Sequence, residues 1–162
     1  MAETPSIDPS APGAPSGRTP KSVLFVCGMN SIRSPMAELI ARRQLPGVYV
    51  ASAGVRAGER DPFVDAVLAE QGLSLDQRQP RLLDELEDGY FDLIVTLAPE
   101  AHHAALDMTR ALASDVEYWP MPDPSIASGT REQILAAYRD VRDRLARRIG
   151  DRFGTRSEMT PG

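Results

Sequence analysis

Four short apolar runs, SVLFVC (Ser22–Cys27), VYVAS (Val48–Ser52), FDLIVTL (Phe91–Leu97) and DVEYW (Asp115–Trp119), alternate along this chain with segments of helical pattern. A continuous apolar run of this length reads as a strand covered on both faces. Alternation of such strands with helices through short links predicts an α/β fold. It would be a three-layer sandwich, with a four-stranded parallel sheet and helices on both faces. Ligands of such sheets bind beyond the carboxyl ends of the strands. Cys27, the only cysteine, lies at one of those ends.

The helix signals fall between the strands. Ser34-Pro35 reads as an N-cap and first-turn proline opening a helix to about Leu45, stopped by Pro46-Gly47. Asp61-Pro62 opens a second helix that Gly72 ends, RLLDEL reads as a short helix, and Pro99 starts another. The last helix is predicted from about Thr130 to Phe153, with Ile134, Tyr138, Val141, Leu145 and Ile149 as its packing stripe. Its other face pairs Arg139 with Asp143 and Asp140 with Arg144, as a solvated surface. The expected organisation is one domain over residues 21–153, between a proline-rich disordered tail at 1–20 and a second tail at 154–162.

Composition narrows the function. A net charge of −5 argues against a general binder of nucleic acid or anionic membrane, and no run is long enough to span a bilayer. A lone cysteine and no apolar leader segment predict a reducing, cytoplasmic setting. The adjacent His102 and His103 would point about 100° apart on a helix, so no metal site is expected. No glycine pattern for a nucleotide cofactor is present, and no cofactor is expected. The oligomeric state is not legible.

The segment VLFVCGMNSIRSPMAE carries the chemistry. A loop of Gly28, Met29, Asn30, Ser31 and Ile32 joins an apolar strand to a helix start, with Arg33 six residues beyond Cys27 and Ser34 next. Such a loop can turn successive N–H groups inward as an anion nest, reinforced by the helix N-terminus. An arginine adds a planar bidentate donor. The thiolate, favoured beside such groups, is the nucleophilic form. A cysteine at a strand end is more often an inert buried thiol. Here the strand, the spacing to Arg33 and the Ser-Pro helix start together point to function.

This segment closely resembles the signature V-C-x-G-N-x-x-R-S-P-M-A-E of the low-molecular-weight protein tyrosine phosphatases. SAG (Ser52–Gly54), FDLIVTL and a late Asp-Pro fall in that family's order. The resemblance implies a metal-independent phosphomonoesterase acting through phosphocysteine on a phosphorylated protein or small phosphomonoester. Cys27 would be the nucleophile, Arg33 the phosphate clamp and Asp123 of Asp123-Pro124 the general acid. Gly28, Met29, Asn30, Ser31, Ile32 and Ser34 would form the phosphate loop. Ser34 would hydrogen-bond the thiolate, Asn30 would hold the loop and Ser52 would support Asn30. Met29 stands where the family has glycine, Ile32 where many members have a second cysteine, and Ser125-Ile126 where phosphotyrosine-specific members have aromatic rings. Trp119, Tyr118 and Met121 either wall the substrate or pack in the core. Arg56, Glu59 and Arg60 either border the pocket or form a solvated loop. Arsenate reductases of the same fold resemble the chain in NSIRS, in Trp119 four residues before Asp123 and in DPSIASGTREQILAAYRDVRDRL. With one cysteine, reduction would require an external small thiol. A weakly catalytic phosphate-binding module is the remaining alternative.

Overall fold

Val23 to Val26 are fully buried and Cys27 is 2% exposed, as a strand enclosed on both sides must be. The computed structural model describes residues 19–86, 90–109 and 113–154. The proposed tails, apart from residues 19, 20 and 154, lie outside the described residues. Chain order is β1 (Ser22–Cys27), α1 (Arg33–Gln44), β2 (Tyr49–Gly54), α2 (Pro62–Ala69), β3 (Leu93–Thr96), α3 (Pro99–Met108), β4 (Asp115–Tyr118) and α4 (Arg131–Phe153). The sheet is parallel in all three pairings and ordered β2-β1-β3-β4.

Alternation along β1 builds two cores. Val23, Phe25 and Cys27 pack with side chains of α1, α2 and α4, whereas Leu24 and Val26 pack with Ala98, Ala101 and Ala105 around α3. Helices therefore cover both faces, as the alternation requires. Each large apolar side chain so buried contributes about 1.5–3 kcal/mol by leaving water. In α4 the stripe of Tyr138, Val141, Leu145 and Ile149 is buried, and Leu135 joins it. No helix of the described residues is long and apolar enough to cross a membrane.

Several expectations need correction. Strand β2 extends to Gly54 rather than Ser52, because Ala53 and Gly54 continue the ladder opposite Val26 and Cys27. RLLDEL yields a single 3₁₀ turn, Leu83–Glu85, beside an isolated bridge from Leu82 to Gly54. Strand β3 is shorter than its apolar run, and β4 stops at Tyr118 so that Trp119 can turn inward. Thr130 is the N-cap of α4 and accepts from Gln133 N, while Gly154 ends the helix in the left-handed region. Arg139 does not pair with Asp143. It bonds Glu70 and Glu132, while Arg142 is 7% exposed and reaches Val67 O, Glu70 and Asp143. Arg139 and Arg142 on this face therefore clasp the end of α2, while Glu132, Asp140 and Arg144 remain exposed to solvent. Asp140 does pair with Arg144, at 2.7 Å.

Candidate active site

The Cys27 loop leaves the carboxyl end of β1 and enters α1 without an ordinary cap. Ile32, not Ser34, is the N-cap position, and it makes no side-chain capping bond. Pro35 lies in the first turn, but Ser34 serves the thiol instead. Its backbone N–H is 3.4 Å from Cys27 Sγ and its Oγ 2.9 Å. An unpaired backbone donor of the helix N-terminus, Ser34 N–H, is thus directed at the sulfur.

Asn30 fixes the loop from behind. Its φ is +57°, a left-handed conformation that asparagine tolerates better than most side chains. Arg81 N–H donates to Asn30 Oδ1 at 2.9 Å, which sets the amide's orientation, since a backbone N–H can only donate. The amide nitrogen then donates to Ser34 Oγ at 2.8 Å and Ser52 Oγ at 2.9 Å. Ser52 in turn gives its proton to Glu38 Oε1 at 2.6 Å. Ser34 Oγ receives from Asn30, and its own proton has two acceptors within reach, Cys27 Sγ at 2.9 Å and Ala53 O at 3.4 Å. A chain of hydrogen bonds, with the Asn30 amide donating to both serines at its centre, therefore joins the thiol to a carboxylate with no exposed surface. Arg78 bonds Glu38 Oε1, and Arg42 sits 2.7 Å from Oε2.

Carbonyl traffic turns the other way. Gly28 O accepts from Val55 N and Arg56 N at 2.8 Å each, and Cys27 O from Val55 N at 3.3 Å. No acceptor among the described residues takes the N–H groups of Gly28 to Ile32. Two carbonyls face the β2 side, and a run of donors is left for an oxyanion. Met29 adopts no positive φ, so the loop does not need glycine there. Glycine is needed across from it. A Cβ on Gly54 would lie 2.5 Å from Met29 C and 2.6 Å from Asn30 N. A Cβ on Gly58 would meet Met29 Cβ and Ser31 Oγ.

A small cleft of about 30 Å³ gathers Cys27, Met29, Ser31, Ile32, Arg33, Asp123 and Ser125. Arg33 Nη1 donates to Met121 O at 3.0 Å, tying α1 to the loop that carries Asp123. Asp123 caps the 3₁₀ turn Pro124–Ile126, and its Oδ1 accepts from Ser125 N at 2.9 Å and Ser125 Oγ at 2.7 Å. Partial burial acts to raise the pKa of Asp123. The Ser125 bonds and the Arg33 charge outweigh it, so the carboxyl lies below its ordinary range.

The residues proposed from sequence thus converge, with Asn30 and Ser34 behind the cleft rather than in its wall. Gly28 lies under an Arg56–Glu100 ion pair whose Glu100 Oε1 would be 2.8 Å from an added Cβ. That pair, and the bonds of Arg60 to Asp65 and to the carbonyls of Asp76 and Arg78, make this loop a braced rim rather than free chain. Trp119 is no substrate wall. It is 1% exposed, sits edge-on to Phe25 with centroids 6.0 Å apart and bonds Glu117. Met121 packs against the same core, and Tyr118 stacks on His102, which also bonds Thr96. Sequence reasoning missed Glu38, Arg78 and Ser125. Glu38 was the legible one, an acid four residues after Ser34 inside an otherwise apolar helix face. Among the described residues no group of three or more metal-ligating side chains is assembled.

The model of the low-molecular-weight phosphotyrosine protein phosphatases matches residues 22–153. The chain belongs to that family. An arsenate reductase from Halalkalibacterium halodurans is 35% identical over 132 residues, 80% of this chain and 92% of its own. A protein-arginine-phosphatase from Geobacillus stearothermophilus is 33% identical over 152 residues, 84% of this chain and 98% of its own. The fold is that of the tyrosine phosphatase AmsI of Erwinia amylovora, with a TM-score of 0.68 at 24% identity over 86% of this chain and 94% of that one. The family makes the chain a hydrolase of phosphoproteins or phosphomonoesters.

Proposed function

We propose that Cys27 attacks the phosphorus of a phosphomonoester in line with its leaving oxygen, forming phosphocysteine and releasing an alcohol or phenol. The chain from Glu38 through Ser52, Asn30 and Ser34 to Cys27 Sγ carries this reading, because it holds the Ser34 hydroxyl 2.9 Å from the sulfur, nearer than its other acceptor, Ala53 O at 3.4 Å. The N–H groups of Gly28 to Ile32 and the Arg33 guanidinium hold the phosphoryl oxygens and meet the charge that grows on them. Arg33 exchanges the Met121 carbonyl for phosphate on binding. Asp123 protonates the leaving oxygen, then takes a proton from the water that cleaves the sulfur–phosphorus bond. The setting is cytoplasmic, where a sole thiol stays reduced.

With Asp123→Asn the second step slows, and phosphocysteine should accumulate. Rapid acid quench after mixing with p-nitrophenyl phosphate, followed by peptide mass spectrometry, is expected to find a phosphoryl group on Cys27. An unmodified Cys27 peptide at every time point would overturn the reading.

The arsenate reductase relative supports a second reading for the same cleft. Cys27 would displace hydroxide from arsenate, and an external thiol would attack its sulfur to release arsenite and a mixed disulfide. A second external thiol must then free Cys27, since the chain has no other cysteine.

A further inference from the structure

Asp123 needs only one donor to cap its 3₁₀ turn, and the Ser125 backbone N–H supplies it at 2.9 Å. The Ser125 hydroxyl adds a second bond, 2.7 Å, to the same oxygen. Any residue but proline at position 125 would give the first bond, whereas the second needs a hydroxyl there. No hydrogen bond from the described residues reaches Oδ2 of Asp123. The carboxylate is therefore pinned by one oxygen and open at the other, within the cleft that holds Cys27 and Arg33.

We propose that Ser125 is a positioning residue of the reaction, clamping Oδ1 of Asp123 so that Oδ2 is the oxygen that carries the proton to the leaving group. The inference rests on the phosphatase reading. The groups around Asp123 leave this role to Ser125. Arg33, from α1, is directed to Met121 O, and Tyr138, from α4, gives its hydroxyl to Asp61 Oδ2 at 2.7 Å. Asp61 itself caps α2 through Phe63 N. Of these only Arg33 shifts Asp123 through its charge, and only Ser125 bonds it.

The sign of the effect follows. A donor to the ionised carboxylate favours that form, so removing the hydroxyl raises the pH at which Asp123 loses its proton. A general acid must be protonated to act, so activity would persist to higher pH. The descending limb of kcat/KM, which reports the free enzyme, should move up by about half to one pH unit in Ser125→Ala. The plateau rate should fall several-fold, because Oδ1 is held by one bond rather than two. Ser125→Thr restores the hydroxyl and should return both properties toward wild type.

The test is the pH dependence of p-nitrophenyl phosphate hydrolysis by wild type, Ser125→Ala and Ser125→Thr, with a carbon NMR titration of the Asp123 carboxyl in each. The expected result is an upward shift in Ser125→Ala by both readouts, reversed in Ser125→Thr. A Ser125→Ala protein whose limb and carboxyl titrate as in wild type overturns the inference. So does a Ser125→Thr protein that behaves as Ser125→Ala. Wild type without Cys27-dependent turnover would strike the phosphatase reading instead, and the NMR titration would still decide whether Ser125 holds Asp123.

Discussion

Ser52 Oγ donates to Glu38 Oε1 across 2.6 Å, one strand away from the Cys27 loop and wholly out of solvent. This contact joins the ion cluster of Glu38, Arg42 and Arg78 to the asparagine that shapes the loop. Ser52→Ala leaves an Asn30 N–H and a Glu38 oxygen without that partner, at a cost of about 1–3 kcal/mol. Urea unfolding should show this loss together with weaker phosphate binding. Unchanged stability and affinity would mean that water replaces the hydroxyl without consequence.

The approach of β2 to the loop gives a second prediction. Gly54→Ala would set a methyl 2.5 Å from Met29 C, against backbone rather than a movable side chain. The loop must shift, and overpacking of this kind costs about 1–3 kcal/mol. Competition by phosphate or vanadate should weaken at least tenfold. A Gly54→Ala protein that binds phosphate as wild type does would show that the loop tolerates displacement.

Acid sensitivity should centre on the α2–α4 clasp. Hydrogen bonds from Arg139 and Arg142 lower the Glu70 pKa from 4.5 to about 2. A depressed carboxylate contributes its stability in full above the unfolded value, and that contribution is lost as pH falls through the folded one. The Tm advantage of wild type over Glu70→Gln should therefore be constant near neutrality and shrink between pH 4.5 and about 2. An advantage that does not change with pH would contradict the clasp.

Much of this was legible in the sequence because its signals are local. Buried strands read directly from VLFV and LIV, Asp61-Pro62 and Thr130 mark helix starts, and the spacing of Cys27 and Arg33 locates the loop. Ser34 was misread as a cap because a Ser-Pro pair carries the same local signal whether the hydroxyl serves the helix or a thiol. Trp119 was ambiguous, and the charged face of α4 read as solvated, for another reason. Whether a ring or guanidinium meets solvent depends on what folds over it, here Phe25, Arg148 and Glu70. Ser125 carried no signal of its own until Asp123 was seen to use both of its donors.

The central claim is that Cys27 and Asp123 together run a phosphoryl transfer, and p-nitrophenyl phosphate hydrolysis tests it most directly. Wild type should turn over, Cys27→Ser should be inactive, and Asp123→Asn should lose about 10²–10⁴ in rate. Well-folded wild type without turnover, or a Cys27→Ser protein that retains it, would contradict the account.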